Sequence, residues 1–182
     1  MPGTWNYSHD VSCMEKSEGF PPIERPDARI LVLGSLPGRR SIAEQQYYAH
    51  RQNAFWPIIR EIFGLEGSYP ERCEQLKALR IALWDVLHSS VRPGSMDSEI
   101  RMDSAKPNDF GAFFEGHKAL ELVAFNGKKA EQMFARFVDA ALLPESVRMV
   151  GLPSTSPAYA AMPFSGKLSA WQGALSALSK KD

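Results

Sequence analysis

"RILVLGSLPG", Arg29–Gly38, is the stretch on which the fold turns. Ile30–Leu33 run apolar without interruption and Gly34 closes the run, with none of the alternation expected of a strand that has one wet face. A strand of this kind is buried on both sides, which is the situation in a parallel sheet whose crossovers cover both faces. Three later segments repeat the pattern: "IALWDVL" (Ile81–Leu87), "LELVAFNG" (Leu120–Gly127) and "VRMVGLP" (Val147–Pro153). Helical spacing occupies the intervals, in "AFWPIIREIFG" (Ala54–Gly64), "ERCEQLKAL" (Glu71–Leu79), Asn108–Gly116 with Asn108 as its cap, "KKAEQMFARFVDAAL" (Lys128–Leu142) and Lys167–Ser179. The remainder of Gly34–Trp56 and the stretch around Pro93–Ser95 read as loops. The expected fold class is α/β: a three-layer α/β/α sandwich around a central four-stranded, mainly parallel sheet, because parallel neighbours require crossover connections.

Residues 28–182 form one domain in this reading. Residues 1–27 are polar and aperiodic, and Pro21, Pro22 and Pro26 discourage helix, so they read as an N-terminal arm that wraps the domain or is partly disordered. A chain of 182 residues with 44% apolar content can bury a full core by itself. Lys plus Arg and Asp plus Glu are both 21, so the formal charge is zero and any polyanion must be held by local patches. Cys13 and Cys73 lack metal-ligand spacing and suit a reducing compartment. No apolar run reaches membrane-span length and "MPGTWNYSHD" lacks the core of a secretory signal, so a cytoplasmic location without membrane contact is expected. His9, His50, His88 and His117 have no paired-ligand spacing; neither a metal nor an organic cofactor is expected.

In a parallel sheet, ligands bind beyond the carboxyl ends of the strands. The four exits here are GSLPG, WDVLHSS, FNGKK and LPSTSPA. Gly34 lets a ligand approach the backbone, but the glycine spacing is neither a Walker nor a dinucleotide fingerprint. Ser154, Thr155 and Ser156 offer uncharged contacts to phosphate oxygens, and Gly127 with Lys128 opens a helix whose amino terminus attracts an anion. Each has a plainer reading as a turn or a cap, but together they suit a nucleotide within a polymer. The competing reading is a triad hydrolase with Ser35 or Ser154 as nucleophile and His50, His88 or His117 as base, which the absence of a G-x-S-x-G elbow disfavours.

Four blocks resemble the uracil-DNA glycosylase superfamily, and within it the thymine-DNA and mismatch-specific uracil-DNA glycosylases. They are "GSLPG" through "YYAHRQNAFW", "WDVLHSSVRPGSMDS" (Trp84–Ser98), "VAFNGKKAEQMF" (Val123–Phe134) and "LPSTSPA" (Leu152–Ala158), in family order. Two positions depart from that branch's pattern. Leu36 stands where the branch has a water-positioning asparagine, and Leu152 where other branches have a base-stabilising histidine. This combination resembles the hypoxanthine-DNA glycosylase branch, which implies that the asparagine of the "N-x-F-W" segment, here Asn53, is catalytic.

The resemblance implies a base-binding set of Gly34, Ser35, Leu36, Tyr48, Asp85 and Asn126. Tyr48 would stack on an extruded base, with core packing as its alternative and as the stronger reading for Tyr47. An ionised Asp85 would accept the N1–H of hypoxanthine, or else cap the turn or pair with Arg92. Two roles stay open for Asn126, contact with the base or support of the strand end, and two for Asn53, capping the Ala54 helix or aiming water at C1′. Phosphate contacts fall to Gly127, Lys128, Ser154, Thr155 and Ser156, with Arg39, Arg40 and Arg51 as additions or as a solvated face. Ala158 replaces the arginine with which the thymine branch fills the emptied stack, which leaves Tyr159 as the wedge candidate. The implied function is a monofunctional, cofactor-free glycosylase acting as a monomer on damaged, double-stranded DNA, hypoxanthine being the lesion. Uracil or mismatched-thymine excision and non-catalytic lesion binding are the alternatives.

Overall fold

The computed structural model describes residues 16–179; most of the expected arm, with His9 and Cys13, lies outside the described residues. The elements in chain order are β1 (Lys16–Glu18), β2 (Ile30–Gly34), α1 (Arg39–Glu44), α2 (Phe55–Phe63), α3 (Tyr69–Ala78), β3 (Ile81–Asp85), β4 (Leu87–Val91), β5 (Lys106–Pro107), α4 (Phe110–Gly116), β6 (Leu122–Asn126), α5 (Lys128–Phe137), β7 (Arg148–Leu152) and α6 (Phe164–Ser179). The central sheet has the order β3-β2-β6-β7 and every neighbouring pair is parallel. β2, β3 and β6 are buried at each position, as their unbroken apolar runs require, while the edge strand β7 exposes Arg148 and Met149.

The twofold pleat of the strands sorts the core into two layers. Leu31, Leu33, Ala82, Trp84, Val123 and Phe125 face α4 and α5, meeting Phe110, Phe113, Met133 and Phe134. Ile30, Val32, Ile81, Leu83, Leu122 and Ala124 face α2, α3 and α6, meeting Phe55, Ile58, Ile59, Leu76, Trp171 and Leu175. The result is the three-layer α/β/α sandwich.

Several elements differ from the sequence reading. The Gly34–Trp56 stretch contains α1, ended by Gln45 in the left-handed region (φ 52°). α3 starts earlier than Glu71 because Ser68 and Glu71 form a reciprocal capping box. α4 is capped by Asp109, whose carboxylate accepts from Ala112 N–H at 3.0 Å; Asn108 instead donates to the Asp85 carbonyl at 2.8 Å. α5 ends at Phe137, and a 3-10 turn follows at Ala140–Leu142.

The stretch after β3, read as a loop, holds β4 and β5, which form a small antiparallel sheet of order β1-β4-β5. Its polar "HSS" hid it, since Ser89 and Ser90 are fully buried only because β1 of the arm pairs with them. The arm then runs along the open edge of β3, where Ile23 and Leu83 exchange two 2.9 Å backbone hydrogen bonds. That pairing closes an edge that would otherwise be free to join another chain. Among the described residues no helix is long and apolar enough to cross a membrane.

Candidate active site

Because all four strands of the central sheet are parallel, their exits meet at one edge. There they enclose a cavity of about 470 Å³, lined by the GSLPG turn, Tyr48, Asn53, Asp85, Asn126 and the Ser154–Tyr159 loop. This is within the roughly 300–1,000 Å³ of small-molecule sites. Of the residues singled out from sequence, Gly34, Ser35, Leu36, Tyr48, Asn53, Asp85, Asn126, Ser154, Thr155, Ser156 and Tyr159 all border it. Gly127 and Lys128 do not.

The floor is built around Gly34. A methyl group there would collide with Asp85 Oδ1 and lie 2.9 Å from Tyr48 Oη, so glycine is what allows carboxyl and phenol to close over the strand end. Tyr48 itself adopts φ 55°, an uncommon conformation for a bulky residue and one of roughly 1–3 kcal/mol strain. The strain is held by packing, for one face of its ring lies against Phe55 with centroids 4.4 Å apart, leaving only the other face for a base. Tyr47 packs in the core, 2% exposed, and its hydroxyl donates to Pro21 O at 3.1 Å.

Asp85 is 3% exposed, and its Oδ2 has no hydrogen-bond partner among the described residues; the same holds for Tyr48 Oη. Burial, reinforced by the nearby charge of Asp97 and opposed by Arg92, pushes the Asp85 carboxyl up to about 8. This shift favours the protonated carboxyl near neutrality over the ionised one, because removing the proton would leave a desolvated, unpartnered anion. A neutral carboxyl presents a donor and an acceptor side by side. Buried polar atoms without partners on a cavity wall call for a ligand that supplies them.

Asn53 caps α2, its Oδ1 accepting from Phe55 N–H at 3.0 Å. The amide nitrogen is not used in that bond, so capping and a cavity role are compatible. Asn126 clamps the fourth exit: Nδ2 donates to Thr155 Oγ1 at 2.8 Å and Oδ1 accepts from Thr155 N–H at 2.9 Å. Thr155 is 1% exposed; its N–H and hydroxyl oxygen engage Asn126 and its carbonyl accepts from Ala54 N–H at 2.9 Å, so it anchors the loop. Ser154 and Ser156 turn the loop with hydroxyls that accept from Ser156 and Ala158 N–H, both at 3.2 Å.

Gly127 sits at φ 93°, and a side chain there would strike Ser154 at 2.9 Å. Its N–H donates to Leu152 O at 3.0 Å, which fixes the turn between two strand exits. Lys128 lies exposed at the start of α5, outside the cavity. Leu36 and Leu152 are buried core residues, 5% and 7% exposed.

Three residues, Asp97, Met96 and Lys167, escaped the sequence reading as individuals, and Arg92 entered it only as an alternative partner for Asp85. Asp97, from the Pro-Gly-Ser-x-Asp run, lines the cavity and accepts the Ser35 hydroxyl at 2.6 Å. Arg92 is buried; it donates to Leu36 O at 3.4 Å and to Pro37 O, and its Nη1 is 3.9 Å from Asp97 rather than bonded to Asp85. Met96 is an exposed apolar residue on the rim. Lys167, 6% exposed, donates to Tyr159 O at 2.8 Å and lies 5.3 Å over the Tyr159 ring, which ties the wedge candidate to α6. The signals were an isolated acidic residue and an isolated lysine, which without partners look like surface charge.

Among the described residues no hydrogen bond joins Ser35 or Ser154 to a histidine, as the Ser–His alternative would need. Ser35 donates to Asp97, and His117 is held between Phe113 O at 2.7 Å and Glu24 at 2.8 Å. Among the described residues no group of three His, Cys, Asp or Glu is placed to hold a metal.

Residues 21–176 match the uracil DNA glycosylase superfamily. The chain belongs to this superfamily. Within it, the chain is 42% identical over 118 residues to a protein named hypoxanthine DNA glycosylase from Methanosarcina barkeri, covering 63% of this chain and 73% of the relative. It is 40% identical over 115 residues to a protein of the same name from Methanosarcina acetivorans, covering 62% and 72%. The solution NMR structure of a candidate uracil DNA glycosylase from Methanosarcina acetivorans superposes with a TM-score of 0.72 at 32% identity, covering 88% of this chain and 97% of that one. A superfamily member with this strand-end cavity is a DNA glycosylase by fold and by ancestry.

Proposed function

We propose that the protein removes deaminated bases from double-stranded DNA as a monomeric, monofunctional glycosylase, and that hypoxanthine is its preferred lesion. The observation that carries this reading is the buried Asp85 carboxyl on the cavity wall, whose Oδ2 has no partner among the described residues and which burial pushes up to about 8. Its donor–acceptor pair complements the N1–H and O6 edge of hypoxanthine, and the names of the two Methanosarcina relatives support the same lesion. An extruded nucleotide enters base first, its ring against the free face of Tyr48. Asn53 directs water onto C1′, and the hydrogen bond from Asp85 stabilises charge on the departing base. Ser154 and Ser156 hold backbone phosphates, while Tyr159 fills the emptied stack. Extrusion costs a few kcal/mol, least at a weakened pair, which itself favours damage.

A panel of duplexes bearing single hypoxanthine, uracil or G:T lesions, followed by alkaline cleavage of abasic sites, tests the reading. Hypoxanthine is expected to be released fastest. Preferential release of uracil, which presents a similar lactam edge, would reassign the lesion. Binding of lesion duplexes with no abasic product under single-turnover conditions would make the protein a lesion binder.

A further inference from the structure

Water aimed by an amide still has to lose a proton, and an amide does not accept one near neutrality. The apolar Leu36 supplies no group for that purpose either. Three side chains on the cavity wall have basic character, Asp85, His50 and Asp97. Asp85 is on the floor and holds a proton. His50 has its Nδ1 lone pair occupied by Gln52 N–H at 3.2 Å, which places the ring proton of its neutral form on Nε2 and leaves no free lone pair.

Asp97 is different. The Ser35 hydroxyl fixes Oδ1 at 2.6 Å, Arg92 stands 3.9 Å away with a fully buried side chain, and the carboxylate itself is 41% exposed, within reach of water. We propose, building on the glycosylase reading, that Asp97 is the catalytic base of the reaction and the anion that stabilises the sugar cation, held in place by Ser35 and Arg92. Water oxygen bonds to C1′ as the C1′–N9 bond breaks, and its electron pair leaves with the purine. The water proton passes to Asp97, and the departing base takes a proton from the Asp85 carboxyl or from solvent.

The surroundings divide the two carboxyls. Burial raises both, but Asp97 alone has a hydroxyl donor, and Arg92 and Lys129 favour its charge; Asp85 lies among Tyr48, Asp97 and Arg92 with Oδ2 unpartnered. Asp97 thus has the hydroxyl donor and neighbouring guanidinium that an anion needs, whereas Asp85 Oδ2 has no partner among the described residues.

The test is single-turnover base release by wild type, Asp97→Asn and Ser35→Ala between pH 5 and 9, with affinity measured on a duplex containing 2′-fluoro-deoxyinosine, which resists hydrolysis. Asp97→Asn is expected to lose roughly 10²-fold or more in rate with affinity within about threefold of wild type, and to lose the acidic limb of the pH profile. Ser35→Ala, which deprives the carboxylate of its hydrogen bond, should shift that limb to higher pH, a change that a purely structural role would not produce. A folded Asp97→Asn with a rate within about threefold of wild type overturns the proposal and leaves the glycosylase reading intact. If Asp97→Asn does not fold, an unmoved limb in Ser35→Ala overturns it. Wild type inactive on every lesion duplex overturns both.

Discussion

Asp85 offers the most direct check on the electrostatics of the cavity. With its carboxyl near 8, about ten molecules in eleven are neutral at pH 7 and about one in eleven at pH 9. If the neutral acid is the form that donates to the departing base, single-turnover release of hypoxanthine by wild type falls about tenfold between pH 7 and pH 9. Asp85→Asn keeps a donor and an acceptor in the same place but has no proton to lose, so its rate, whatever its absolute value, stays flat over that interval. The same substitution has a signature in stability. The folded-state value lies above that of an unfolded carboxylate, so the stabilisation is complete below about pH 4 and is lost as pH climbs towards about 8. Each pH unit in that window is worth up to about 1.4 kcal/mol, or a few kcal/mol in all once the site relaxes. Thermal melts from pH 5 to pH 9 should therefore show Asp85→Asn gaining steadily on wild type. Parallel rate profiles for the two proteins, together with a pH-independent difference in Tm, would refute a protonated Asp85.

Asn53→Ala should reduce single-turnover rate by roughly 10²–10³ while lesion-duplex affinity holds, with a Tm loss matching the roughly 1 kcal/mol of a missing helix cap; full activity would remove Asn53 from the chemistry. Trp171→Ala empties a fully buried site and frees the Pro153 carbonyl that Trp171 Nε1 holds at 3.0 Å, so urea denaturation should show about 3–5 kcal/mol lost. Gly127→Ala combines φ 93° with a collision at Ser154, and about 1–3 kcal/mol of destabilisation is expected by the same measurement. Tyr159→Ala should leave the fold intact and weaken extrusion, read as a smaller fluorescence rise from 2-aminopurine beside the lesion.

How legible the protein was depends on how local each signal is. The runs at Ile30–Gly34, Ile81–Asp85 and Leu122–Asn126 declared a doubly covered parallel sheet because a strand buried on both faces has no polar alternate positions to show. β4 and β5 were illegible for the opposite reason: Ser89 and Ser90 are interior only because β1, some seventy residues earlier in the chain, pairs with them. Parallel strands bring all their exits to one edge, so a list of exits was already a map of the cavity. The roles of the residues on that edge were a different matter. Leu152 O and Asn126 engage Gly127 and Thr155 across the gap between two exits, contacts between segments that no local signal announces.

The order of elements, the sheet that joins them and the family blocks follow from the chain itself, since periodicity and turn chemistry are written within a few consecutive residues. Ionisation and partnership came only with the tertiary structure. Burial pushes the Asp85 carboxyl up, and Ser35 and Arg92 flank Asp97, through neighbours assembled from segments that meet only when the sheet has formed. The free energy of a buried charge depends on everything around it, not on its place in the sequence.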